Sequence, residues 1–475
     1  MMIIRTLFAL ALLLVEGALF LRLVQGKHSV LSLLEYVAYG LLLGSALVAY
    51  VIFGAALVGV PLSLKGLLWV HQGIFIVLIV LILWRCRTII PPTVPLLPPS
   101  SFKEQKLSRW LTVLVGLLAG FAIIKILIGG YDLLLSPVYF NDTYANWNMR
   151  SKAFFTNESL MLDLPAEDEM YFGGRVPSYP LAVYLSKVWL AKAAGGWSEG
   201  VVNSIHGAWF LALLASFFAG LRREGNTLWA LAGTYALTSL PLLLIHGMNP
   251  YADVLMAAFL FVVLFSFLRW MRSDVAADQN VWLRIFGVMT AAMLFVKNEA
   301  MLIFLPPLIL VFAFSCIRFG KLILRFRGDD FSRWAAIVSV VAVPWMFFKV
   351  MHGLTFGNAT GVSGFSLVPQ EGVAFAIEGD LFFTGGYLLL FPLCILLLFL
   401  GFHHWRKDPL RLIILYLFIV FAGEFFIYAL TPLSIEAIRH TGFGRGMVHL
   451  LPLIVFVCIL LLQRLLTPKK SSSLI

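Results

Sequence analysis

The sequence predicts an all-α integral membrane protein of about 13 transmembrane helices, with amphipathic juxtamembrane helices in an outer-face loop. Three observations carry this. Of the 475 residues, 61% are hydrophobic and only 12% charged, beyond what a soluble globular domain contains. The apolar runs reach the ~20 residues that cross ~30 Å of hydrocarbon as a helix, rather than the short alternating segments of a β-barrel. Basic residues recur in every second short loop, as cytoplasmic loops require. Soluble enzyme, disordered scaffold and secreted disulfide module are excluded. The formal charge of +11 reports loops beside anionic membrane lipid, not nucleic-acid binding. Cys86, Cys316, Cys394 and Cys458 show no metal-ligand spacing and no disulfide frame.

Runs long enough to span begin near residues 3, 31, 66, 111, 201, 227, 252, 282, 300, 334, 386, 409 and 446. The first lacks a small-residue cleavage site and carries Glu16, so it reads as a retained span. The loop with Arg85, Arg87, Lys103, Lys106 and Arg109 is placed inside by its charge. Alternation then puts Arg222 and Arg223, Arg269 to Arg284, Arg318 to Arg333, Arg406 to Arg411, and Arg464 to Lys470 inside as well. One orientation satisfies all of them, with the C-terminus inside and the N-terminus outside. The chain divides into N-terminal helices with a Pro-rich loop (1–110), a module from 111 to 466 that includes the outer loop 131–200, and a tail at 467–475.

The loops left on the outer face hold the unusual polar residues. After the fourth span comes Asn141-Asp142-Thr-Tyr-Ala-Asn-Trp147, followed by Arg150 and Lys152. Asp142 reads either as the N-cap of an interfacial helix or as a general base tuned by neighbouring cations. Tyr179-Pro180 opens a second amphipathic stretch, Leu181 to Ala193, which reads as a membrane-surface helix; Tyr179 is also placed to line a sugar pocket. The turn from His246 through Tyr251 ends in Asp253, which reads as a helix-start acid or as a second acid holding an acceptor, a donor hydroxyl or a divalent cation. No spacing supports a metal set there. Lys297-Asn298-Glu299 breaks an apolar run where a plain turn would use Gly, Asn or Pro. Its polarity at that depth points to a cation for a lipid-linked phosphate, with Glu299 orienting it. The last outer loop packs Arg439, His440, Arg445 and His449 before the final span, against the positive-inside trend. An outer-face anion accounts for them, Arg445 pairing with a phosphate bidentately; snorkelling to headgroups is the other reading. Lys125, Lys349 and Glu424 lie near outer helix ends as secondary candidates, and the Gly353 to Gly364 stretch reads as a mobile loop.

In order, Asp142 to Phe155, Tyr179-Pro180-Leu, His246 to Asp253, Lys297-Asn298-Glu299, and Arg445 before Leu-Leu-Pro452 resemble the GT-C superfamily of polytopic glycosyltransferases. That group includes protein O-mannosyltransferases and the lipid A aminoarabinose transferase. The resemblance covers roughly residues 130 to 466. It implies a hexosyl- or pentosyltransferase of the cell envelope, in the inner membrane with its site facing the periplasm. A polyprenyl-phosphate sugar, such as one on undecaprenyl phosphate, would be the donor, and a glycan, lipid or protein hydroxyl the acceptor. Displacement would invert the anomeric centre, with Asp142 as base and Lys297 and Arg445 on the departing phosphate. No cofactor is implied beyond that divalent cation. This chain departs in having about three spans before the acidic loop rather than one, and in lacking a sizeable soluble C-terminal domain, which argues against an oligosaccharyltransferase-like role. A flippase of a lipid-linked glycan and an O-antigen ligase or polymerase are the competing readings. A flippase needs polar groups along a path through the bilayer, for which only Glu16, Glu35 and His206 stand out.

Overall fold

Three of the first four spans begin on a serine whose hydroxyl accepts a first-turn backbone N–H: Ser32 from Glu35, Ser63 from Gly66 and Ser108 from Leu111. The helices they open are Leu33–Leu57, Leu64–Cys86 and Arg109–Leu135, after an initial helix Met2–Gln25. The computed structural model describes residues 1–89, 94–102, 108–161, 178–320, 329–357 and 368–466, with side chains 318–320 excepted. Among these the chain forms helices and turns and no strand. Lys103, Lys106, Lys321, Arg325, Arg327, most of the Gly353 to Gly364 stretch and the 467–475 tail lie outside the described residues.

A helix stands at each of the 13 expected places. Nine of the described helices are long and apolar enough to cross a membrane, and two bent pairs raise the number to 11. The pairs are Thr227–Thr238 with Pro241–Gly247, bent by 81°, and Gly442–Val448 with Leu451–Leu466, bent by 54°. The other two places hold Ala276–Leu294, whose first turns carry Asp278, Gln279 and Asn280, and the 11-residue Leu390–Leu400. The count of 13 is therefore reached only if those two also cross. The chain is a multi-pass membrane protein.

Helix Asp253–Arg272 is the hub, buried along almost its whole length against Ala276–Leu294, Glu199–Glu224 and Leu451–Leu466. At 1.5 Å per residue its two ends stand about 30 Å apart. One end carries Asp253 and the other Arg269 and Arg272. The arginine end is a lattice of ion pairs rather than a solvated basic fringe. Arg223 binds Glu35 at 2.5 Å, Arg269 binds Glu224 at 3.0 Å, Arg272 bridges Glu224 and Asp408, and Arg464 reaches Asp408 at 3.1 Å.

The N-terminal helices pack directly on the rest. Met2–Gln25 and Leu33–Leu57 meet at Gly17, Gly40 and Gly44, where a Cβ on Gly17 would overlap the Gly40 carbonyl and one on Gly44 the Leu13 carbonyl. Small residues allow this backbone approach, which supplies association energy between helices in lipid. Gly44→Ala is expected to cost about 1–3 kcal/mol through forced separation, read as a lowered thermal midpoint in detergent.

These helices also cover Ala182–Ala194, which is buried on nearly all sides. The surface-helix reading of that stretch is thus corrected: Trp189 donates to the Ala9 carbonyl at 3.2 Å and packs on His71 at 4.0 Å. The polar residues deep in the spans have structural partners. Glu16 pairs with His71 at 2.9 Å, Glu35 with Arg223, and His206 Nδ1 with the Tyr251 carbonyl at 3.1 Å.

Candidate active site

Asp253 sits in the first turn of the hub helix, where the helix dipole favours a carboxylate. It does not cap that helix. Only 1% exposed, it receives four side-chain donors: Lys297 Nζ at 2.7 Å and His449 Nε2 at 3.0 Å on Oδ1, His246 Nδ1 at 3.1 Å and Arg445 Nη2 at 3.3 Å on Oδ2. A buried charge is tolerated when paired and hydrogen-bonded in this way. Three stretches of chain, 246–253, 297–299 and 445–449, meet on one carboxylate.

Lys297 also reaches Glu299 at 3.0 Å. Burial pushes the Lys297 amine down, but Asp253 and Glu299 outweigh it and hold it above the ordinary lysine value. Burial likewise pushes Glu299 up, and Lys297, His449 and a backbone hydrogen bond together outweigh it, leaving the carboxyl below its ordinary value. The lysine's contribution is complete below its ordinary pKa and lost only as pH rises through the raised one; the glutamate's is complete above its ordinary pKa and lost as pH falls through the lowered one. The pair therefore stays ionised across the whole neutral range.

Arg445 joins Asp253 to Asp142, donating to Asp142 Oδ2 at 2.8 Å. Its guanidinium lies 4.9 Å from the centre of the Tyr251 ring, which stacks on His246. Burial raises the Tyr251 hydroxyl to about 12. Asp142 and Arg445 are 29% and 34% exposed, so the ion pair opens to a ligand while Asp253 beneath it does not.

Asp142 precedes a π-helical turn, Thr143–Asn148, that runs into helix Met149–Asn157. Such turns mark functional sites often. Its side chain makes no cap bond, and its backbone is already helical, so the N-cap reading fails. The wider turn buries Thr143, Asn146, Trp147 and Asn148 together and leaves Asp142 facing Arg445. Trp147 stacks between Tyr179 at 5.1 Å and Tyr184 at 5.2 Å. The Tyr179 hydroxyl donates to Glu299 at 3.4 Å and its ring lies 5.9 Å from Lys297 Nζ.

The other candidates divide. Arg150 is buried against the Tyr184 ring and donates to the Tyr179 carbonyl at 3.3 Å, so it holds the loop. Asn298 donates to Ser178 at 3.2 Å and accepts from Lys349 at 2.5 Å, tying the same loop to helix Asp329–Met351. Lys152, Arg439 and His440 do not join the cluster. Lys152 is two positions from Arg150, about 200° round the helix, and exposed. Arg439 is exposed, and His440, at a φ of 55°, turns the chain so that its own ring binds Asp380 at 2.7 Å while Arg445 goes inward. His449 was under-weighted in the sequence; it lies one turn after Arg445 and shares its face. Lys187 was missed as a buried residue: it bonds Asn148 at 2.6 Å and Asn203 at 3.1 Å under the π-turn, and burial pushes its amine well below the ordinary value. Among the described residues no three His, Cys, Asp or Glu side chains converge to hold a metal ion.

Among solved structures, the chain is similar to ArnT from Cupriavidus metallidurans bound to undecaprenyl phosphate, with a TM-score of 0.54 and 15% identity. The match covers 74% of this chain and 60% of that one. The apo state of the same protein matches with a TM-score of 0.50 and 16% identity over the same shares. The fold is the ArnT fold. The expected all-α membrane architecture, with a fold like that of an aminoarabinose-transferase structure, is thereby borne out. The chain spans 60% of the ArnT length. No family model matches the sequence, and no curated protein does.

Proposed function

We propose that the protein is an inverting glycosyltransferase that moves a sugar from a polyprenyl-phosphate carrier to a hydroxyl acceptor at the extracytoplasmic face of the plasma membrane. The observation that carries this is the single cluster in which Asp142, Arg445, Asp253 and Lys297 are linked within 2.7–3.3 Å. One partly exposed acid beside two cations is what displacement of a phosphate by a hydroxyl needs. The carrier's phosphate takes the place of Asp142 on Arg445, pairs with it bidentately, and draws on the Lys297 charge behind it. Asp142, released, accepts the proton of the acceptor hydroxyl as that oxygen attacks the anomeric carbon from the opposite face. The bond from the anomeric carbon to the phosphate oxygen breaks, and its electron pair leaves with the phosphate, stabilised by Arg445 and Lys297. Asp253 takes no proton; it fixes the two cations.

The ArnT likeness supports the reading, since that protein is seen bound to undecaprenyl phosphate in the same fold. The basic arginine end, set about 30 Å from Asp253, is consistent with a cytoplasmic side opposite the site. Lys297→Met is expected to weaken binding of undecaprenyl phosphate by about 10- to 100-fold, the worth of one charge-assisted contact, measured by titration of the detergent-solubilised full chain. Unchanged affinity would remove Lys297 from the phosphate site, and the transfer mechanism would lose its second cation with it.

A further inference from the structure

Beyond Arg411 in its first turn, helix Leu410–Leu430 carries one charged side chain, Glu424. Glu424 is 1% exposed, its Oε2 has no hydrogen-bond partner, and the carboxyl forms no ion pair among the described residues. In this it differs from Asp142, Asp253 and Glu299, each of which is held by a cation. It nevertheless borders the same cluster. A Cβ on Gly446 would lie 2.9 Å from Glu424 Oε2 and 3.3 Å from Oε1, so the carboxyl presses on the short helix that delivers Arg445. Lys297 and Glu299 are the charged groups that act on it. Tyr428, one turn further, seats Phe443 of that short helix at 5.6 Å.

An unpartnered carboxyl at bilayer depth costs several kcal/mol against an apolar side chain of the same volume. Nothing in the packing of the described residues offsets this, which points to a partner that arrives from outside. That partner is not the phosphate, which an acid disfavours and which Lys297 and Arg445 already attract. What travels beside the phosphate is the sugar, and the hydroxyl on the carbon next to the anomeric centre is the nearest neutral group able to meet a carboxyl.

We propose that Glu424 is a specificity-determining residue that hydrogen-bonds a ring hydroxyl of the carrier-linked sugar, between the short Gly442–Val448 helix and Lys297. The inference rests on the transferase reading above and names its sugar contact. A group placed to bind a hydroxyl discriminates strongly against ligands that lack it. The test compares undecaprenyl phosphate alone with undecaprenyl-phosphate hexoses and pentoses, titrated into the detergent-solubilised full chain.

Wild type is expected to bind at least one sugar-bearing carrier about 10-fold or more tighter than the bare one. Glu424→Gln reduces that preference and Glu424→Met erases it, both leaving the affinity for the bare carrier within about 3-fold. Because Met removes an unpaired polar group, the thermal midpoint of Glu424→Met is expected to equal or exceed that of wild type. A preference that persists in Glu424→Met, an absence of preference in wild type, or equal loss of both affinities would overturn the assignment. Failure of wild type to bind the bare carrier at all would instead sink the transferase reading beneath it.

Discussion

Replacing Asp142 by Asn is expected to lower the rate of sugar transfer by about 10²- to 10⁴-fold, the usual worth of a positioned general base. The amide keeps the shape of the carboxyl but cannot take a proton. Carrier binding should survive and tighten by a few-fold, because Arg445 is no longer held by a competing anion on its open side. The check is single-turnover transfer with a radiolabelled carrier-linked sugar, set against the Kd for undecaprenyl phosphate. Transfer within about 10-fold of wild type would exclude Asp142 as the base. A flippase would show the opposite pattern, with export intact in the same variant.

Asp253→Ala should have the largest effect on the fold itself. It strips the shared carboxylate from Lys297, His246, His449 and one side of Arg445, leaving Lys297 with Glu299 as its one counter-charge among the described residues. Removing one partner of a buried ion pair costs about 3–5 kcal/mol because the other charge stays buried. The thermal midpoint should fall accordingly, and transfer should be lost with it. Adding Lys297→Met to Asp253→Ala should recover part of the stability but none of the activity, since the second change removes the stranded cation. Additive destabilisation in that double-mutant cycle would mean that the two side chains do not interact.

Much of the architecture was legible because membrane crossing imposes a length and an apolarity that the chain cannot disguise. Helices at all 13 expected places follow from that constraint. Ambiguity entered where length or polarity was marginal, as at Ala276–Leu294 and Leu390–Leu400. Of the candidate site, the acids and bases that interrupt apolar runs were readable one by one. Lys297 and Asp253 stood out because a charge at that depth needs a partner. Which partner each took was not readable, since 303 positions separate Asp142 from Arg445. Arg150 and Lys152 look alike in sequence and differ only in helical phase, which buries one and exposes the other. Two lysines in Ala182–Ala194 give it the pattern of a surface helix, but Lys187 is satisfied by Asn148 and Asn203 rather than by water.

The sequence by itself determined the solvent in which this chain folds, the places of its helices and the short list of polar residues that lipid would not tolerate alone. Those are local properties, fixed by the hydropathy of neighbouring residues. Only the tertiary structure decided that Asp253 is the common counter-ion of four donors, that Asp142 faces Arg445 rather than its own helix end, and that Glu424 has no partner among the described residues. Electrostatic pairing depends on a few ångströms between groups hundreds of residues apart, and that distance is set by helix packing, which no stretch of sequence states on its own.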